Sequence, residues 1–94
     1  MQTKQDMFVF PSAILQEDDE FSALCLDLDV CTQGRSPFDA KKKLLEAVTQ
    51  HLKVALENDQ PYLKPVPASE DPRKKPVLNC LELFDLKVSL KAQS

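Results

Sequence analysis

Four acidic side chains in a row, Glu17, Asp18, Asp19 and Glu20, followed shortly by Asp27 and Asp29, are the densest chemistry-bearing feature of this chain. Two chemistries suit such a set. Converging carboxylates can hold two divalent ions about 3.5–4 Å apart for phosphodiester hydrolysis, and an unneutralised acidic surface can dock a basic protein. Asp27 and Asp29 alternate with Leu26, Leu28 and Val30, so an extended backbone puts both carboxylates on one face and the apolar residues on the other. That pattern reads first as a solvated strand edge, with a metal pair as the alternative. Glu17, Asp18, Asp19 and Glu20 are too polar to bury, and aspartate tolerates turn geometry, so they read as a hairpin turn that can also serve as a docking patch. Six acids without one base between Glu17 and Asp29 make the docking use plausible.

The remaining candidates point to structure rather than catalysis. His51 is the sole imidazole and sits on the flank of a helical apolar stripe, with no serine or cysteine nucleophile placed beside it by local sequence. It reads as a half-buried structural histidine. Cys25, Cys31 and Cys80 lack the closely spaced knuckle pairs of a structural zinc site, so they read as small buried apolar residues, and no metal is expected. Lys41, Lys42 and Lys43 read as a solvated helix face, with phosphate or an acidic partner as the alternative. Gly34 is the only glycine, which excludes a phosphate-cradling loop and a dinucleotide fingerprint. No catalytic residue and no cofactor follow from these residues.

Composition sets the frame. At 94 residues, 43% apolar and 29% charged, the chain fits one small globular domain that hides roughly 64% of its unfolded surface. Twelve Lys+Arg against 15 Asp+Glu argue against broad electrostatic binding to nucleic acid. No apolar run reaches the ~18 residues of a membrane span, and the polar opening is not a secretory signal. Three cysteines, an odd number without a CxxC pair, fit reduced thiols, so a soluble cytoplasmic protein is the expectation.

The elements that must position these residues follow from periodicity. Residues 8–16 read as a first strand, with Pro11 suited to an edge or a strand start. Phe21, Ser22, Ala23, Leu24, Cys25 and Leu26 continue as a second strand, and residues 30–34 as a third. Ser36, Pro37 and Asp39 mark a helix start: a capping hydroxyl, a proline at the first helical position and an acid near the positive dipole end. At 100° per residue, Phe38, Leu44, Leu45, Val48, Leu52, Ala55 and Leu56 share one arc and should face the core. The helix should end near Asn58 or Asp59, before Pro61. Residues 61–76, with five prolines, read as an extended connector of polyproline character. Residues 77–91 form a C-terminal strand region in which Cys80 to Leu90 recover period two, with Cys80, Phe84, Leu86, Val88 and Leu90 on one face, interrupted by Glu82. The order is β-β-β-α-β: an α+β fold with a small antiparallel or mixed sheet and one long helix on one face. One helix leaves the other face thinly covered, so a homodimer that buries apolar surface is expected, with Phe84, Leu86, Val88 and Leu90 as its interface residues.

The segment Leu24-Cys25-Leu26-Asp27-Leu28, then Thr32-Gln33-Gly34 with Ser36, then Asp39-Ala40 and Leu45-Glu46-Ala47, resembles the HicB family of antitoxin-type proteins. The resemblance covers about half the chain. Leu26 stands where the family pattern has proline, and Arg35 where it has an acidic or threonine residue. What the resemblance implies is a truncated ribonuclease H-like domain, dimeric and non-enzymatic, that masks a small basic RNA-cleaving toxin similar to HicA. Glu17, Asp18, Asp19, Glu20, Asp27 and Asp29 are the candidate partner-binding residues. Nothing after Pro61 has helical period, so the helix-turn-helix or ribbon-helix-helix that reads DNA in longer family members is missing and direct DNA binding is not expected. The alternatives are a metal-dependent nuclease or nucleic-acid binder using Asp27 and Asp29, or an orphan dimer of unknown role.

Overall fold

Three strands, β1 (Lys4–Glu17), β2 (Glu20–Cys25) and β3 (Val30–Gly34), form a meander; α1 (Pro37–Glu57) follows, and β4 (Cys80–Ala92) returns to the far side of β1. The computed structural model describes residues 4–75 and 78–92. The sheet runs in the order β3-β2-β1-β4 and every pairing is antiparallel, so the α+β class and the β-β-β-α-β order both hold. β1 begins earlier than the residue 8 read from sequence, with Lys4 and Gln5 already paired to β4, and residues 1–3 lie outside the described set. Pro76 of the connector and Val77 also lie outside it.

Each element forms for a local reason. In β1, Phe8, Phe10, Ser12 and Ile14 point toward α1 and alternate with Met7, Val9, Pro11 and Ala13 on the outer face. Pro11 sits inside a central strand and is tolerated there, because the β2 ladder on that side begins only at Ser12. Its carbonyl accepts Leu26 N at 3.0 Å, and the Leu26 carbonyl that an N–H here would otherwise meet is taken by Val66 N at 2.9 Å. The β1–β2 turn is the two residues Asp18 and Asp19, with Asp18 at φ 52, a left-handed conformation that aspartate accepts more readily than most side chains.

Reciprocal caps start α1. Ser36 Oγ accepts Asp39 N at 3.0 Å, and the Asp39 carboxylate accepts Arg35 N at 3.2 Å. The helix ends where the sequence places it, near Asn58. Gln60 N donates to Ala55 O at 2.8 Å and Asp59 N to Leu56 O at 3.3 Å, the double closure of a Schellman motif, with Asp59 at φ 52 in the position usually held by glycine.

The core lies between α1 and the inner sheet face. Ala40, Leu44, Val48, Leu52 and Ala55 are the buried helix residues, and the cluster beneath them includes Phe10, Ile14, Ala23, Cys25, Leu86, Val88 and Leu90. The buried seam is narrower than the arc read from sequence. Phe38, Leu45 and Leu56, expected to face the core, are exposed at 76%, 39% and 48%, because a helix on a small sheet buries one row and its flanks project beyond the contact. Ala40 replaces them, and its small side chain lets α1 approach β3. Thr32 Oγ1 donates to Ala40 O at 2.9 Å across that junction.

The connector departs furthest from expectation. It is tied down rather than a free polyproline spacer: Lys64 N donates to Asp27 O at 2.8 Å, Val66 N to Leu26 O at 2.9 Å, and a single 3-10 turn occupies Ala68–Glu70. Ala13, Leu26 and Val66 are buried without belonging to the main cluster, a small second core where the connector crosses the outer side of the sheet.

Gly34 is required by space rather than by backbone angle. A Cβ there would lie 2.6 Å from Ala40 N and 2.8 Å from Asp39 Oδ2, which is itself held by Arg35 N. Gly34→Ala is therefore expected to cost about 1–3 kcal/mol, since backbone on one side and a capping carboxylate on the other cannot yield freely. Urea denaturation measures it, and an unchanged midpoint would show that β3 and α1 part without penalty.

Candidate functional site

The six acids divide between the two ends of β2. Glu17, Asp18, Asp19 and Glu20 form the exposed tip of the β1–β2 hairpin, and none has an ion-pair partner among the described residues. Asp27 and Asp29 belong to the turn at residues 26–29, at the other end of β2 and about 17 Å away by strand rise. They do not share a face of an extended strand as the alternation suggested. Leu26 and Leu28 are buried, Asp27 is half-buried, and Asp29 is exposed at φ 54. The turn produces alternating burial because two leucines seed two separate clusters, which mimics a strand pattern. Among the described residues no three of His, Cys, Asp and Glu gather into a metal-holding group.

Asp27 is instead part of a contact that sequence reasoning missed. Asp71, with its side chain only 2% exposed, receives Arg73 Nη2 at 2.7 Å, Arg73 Nε at 3.0 Å and Arg73 N at 2.9 Å. The same guanidinium lies 3.9 Å from Asp27 Oδ1 and so joins the connector to the β2–β3 turn. Hydrogen bonds from the Arg73 side chain hold the Asp71 carboxyl below the ordinary carboxylate range, despite the opposing pull of desolvation. The only signal in the sequence was an acid and a base two residues apart around Pro72, too common a pattern to single out.

The thiols and the histidine occupy structural settings. Cys25 is buried, which pushes its thiol up. Cys31 is exposed rather than buried as expected, and Cys80 is intermediate, because Cys31 stands on the outer face of edge strand β3. Partial desolvation, then the charge of Glu17, raise the Cys31 thiol, and Asp29 adds to them. Neither thiol is activated as a nucleophile. His51 is half-buried, with Nε2 3.2 Å from Tyr62 O; a carbonyl can only accept, so that nitrogen carries the proton. Tyr62 in turn meets Phe8 and Phe10 edge-on, at 6.0 and 6.5 Å, and seats the start of the connector under the helix end.

Phe84, Leu86, Val88 and Leu90, read from sequence as a dimer interface, face this chain's own core. Leu86, Val88 and Leu90 are 6%, 0% and 9% exposed beneath α1, and Phe84 packs against the same cluster. Their period-two pattern marked the covered face of β4, which α1 occupies. The apolar surface left open is elsewhere. Met7 and Val9 on β1 and Leu81 and Leu83 on β4 are 61%, 52%, 51% and 53% exposed. Residues 7–15 are almost continuously apolar instead of alternating, and that run was the available signal that both faces of β1 seek cover.

Comparison with protein-family models, with curated proteins and with solved structures finds no match. No helix is long and apolar enough to cross a membrane among the described residues.

Two measurements probe this geometry. Because Asp71 is more acidic folded than unfolded, its contribution is complete above its unfolded value near 4 and is lost as pH falls through the depressed folded value. Asp71→Asn should lower stability at pH 7 by about 1–2 kcal/mol, with the difference from the parent closing in acid; equal denaturation midpoints at pH 7 would deny the ion pair any hold on the connector. Glu17→Gln should raise the rate of Cys31 alkylation by iodoacetamide roughly twofold, since a lower thiol pKa leaves more thiolate. Peptide mass spectrometry reads the rate at Cys31, and no change would place Glu17 outside its field.

Proposed function

We propose that the protein is a non-enzymatic, HicB-like binding module that forms a homodimer and masks a small, basic, RNA-cleaving toxin of HicA-like type. The observation that carries this reading is the hairpin tip: Glu17, Asp18, Asp19 and Glu20 are all exposed, adjacent and unopposed by any cation among the described residues, in a chain of net charge −3. An enzyme that grips RNA must present lysine and arginine to phosphate. An acidic protein that competes for the same cations blocks the enzyme while accelerating its own encounter with it.

Apolar anchors lie beside the charge. Leu83 is on the strand next to β1, paired with Ala13, and Leu81 is the extra residue of the irregularity opposite Ile14 and Leu15, close to the hairpin end. Both are more than half exposed, so a partner steered in by the acids would find apolar area to bury. Asp29 is available in the same sense, whereas Asp27 already faces Arg73. The reading also draws on the resemblance of Thr32, Gln33, Gly34 and Ser36, and of Asp39 and Ala40, to the family pattern. In this fold those residues form the tight β3–α1 junction.

The test is inhibition of RNA cleavage by a HicA-like toxin, with binding measured by calorimetry at low and high salt. Glu17→Lys, Asp19→Lys and Glu20→Lys combined, with Asp18 retained for its left-handed backbone, should weaken association at least about tenfold and release cleavage. Inhibition that survives this reversal, or a parent protein that does not bind at low salt, would refute the proposal.

A further inference from the structure

We propose that β4 is a self-association edge: it pairs antiparallel with β4 of a second copy about a two-fold axis at Leu86, joining two four-stranded sheets into one of eight. This deepens the dimeric half of the function proposed above and is independent of the toxin. β4 is 13 residues long and lies at the end of the sheet, paired only with β1. An edge of that length offers a row of backbone donors and acceptors that proteins normally blunt with proline, bulges or charge. β4 contains no proline, and its one irregularity lies at its start, opposite Ile14 and Leu15.

Its charges select a partner. On the inner face Glu82 is engaged by Lys41 Nζ at 2.8 Å. On the outer face Asp85 and Lys87 are both exposed, and neither has an ion pair within the chain among the described residues. In an antiparallel pair, residues directly opposite share a face. An axis at Leu86 sets Asp85 opposite Lys87 of the second copy, and Lys87 opposite its Asp85. An axis at Asp85 or at Lys87 would instead oppose like charges, and a slip by a single residue would set the edge-facing backbone groups of Asp85 and Lys87 against residues whose groups already face β1. One register therefore satisfies both charges twice.

The same axis accounts for the exposed flank of the helix. A groove of about 450 Å³ runs along this edge between α1 and β4, lined by Phe38, Lys41, Lys42, Leu45, Phe84 and Leu86 among others. An axis perpendicular to the sheet keeps both helices on one face. It brings the second copy's β4 and helix flank over this groove, covering Phe38 and Leu45, which the single chain leaves in water.

Sedimentation equilibrium of the full chain at micromolar concentration tests the proposal, with circular dichroism to verify folding. The parent should be a dimer. Asp85→Lys alone and Lys87→Asp alone should each weaken it about tenfold, the combined exchange should restore it to within about threefold, and Phe38→Glu should weaken it without unfolding the chain. A stable monomeric parent would overturn both this edge and the dimer in the function above. A dimer indifferent to the single reversals, or not rescued by the exchange, would overturn the β4 pairing alone and leave dimerisation standing.

Discussion

One helix row on one sheet face holds this molecule together. Ala40, Leu44, Val48, Leu52 and Ala55 supply the helix side, and without them the inner surface of the sheet has nothing to exclude water. A chain of this size has little core to spare. The approach of α1 to β3 is therefore fixed at close range by two small residues, Gly34 and Ala40, and by the Thr32 hydroxyl between them. Lys41 secures the other side by reaching over the Phe84 ring at 4.6 Å to Glu82. The helix is thus clamped at its first turns to both edge strands, β3 and β4.

Backbone conformation explains part of the acidity. Asp18, Asp29 and Asp59 all have positive φ, at a hairpin turn, a loop and a helix terminus. With one glycine in the chain, aspartate takes over left-handed positions that glycine or asparagine would fill elsewhere. Asp27 and Asp71 are tied to Arg73, and Asp39 caps α1, its carboxyl held acidic by Arg35 N and, less strongly, by Lys43. For the recognition proposed above, the acids whose backbone does not demand an acid are Glu17, Asp19 and Glu20.

The elements were legible because each carries a local cause. Ser36, Pro37 and Asp39 announce the helix start through capping chemistry that needs nothing beyond its own turn, and Val30 to Gly34 is bounded by the residues that turn the chain. Packing was less legible. Periodicity put Phe38 and Leu45 on the buried side because it cannot see where a narrow sheet ends, and it read Leu26 and Leu28 as one strand face though they serve two clusters. The site was partly legible: the hairpin acids stand where expected, but the merger of six acids into one patch failed because two of them lie beyond the far end of β2. Arg73 was invisible, since its meaning depends on a turn at residues 26–29 that lies some forty positions away in the chain.

The placement of β4 also governs when this fold can exist during synthesis. β1 is made before its second pairing partner, the edge strand β4, which follows some seventy residues later, at ribosomal speeds a wait of about 4–14 s. In that interval the meander and helix can assemble, but the flank of β1 carrying Phe8 and Phe10 stays open. A nascent chain therefore presents an apolar strand to its surroundings for seconds, and chaperone capture or mispairing between neighbouring chains on one messenger competes directly with completion of the sheet.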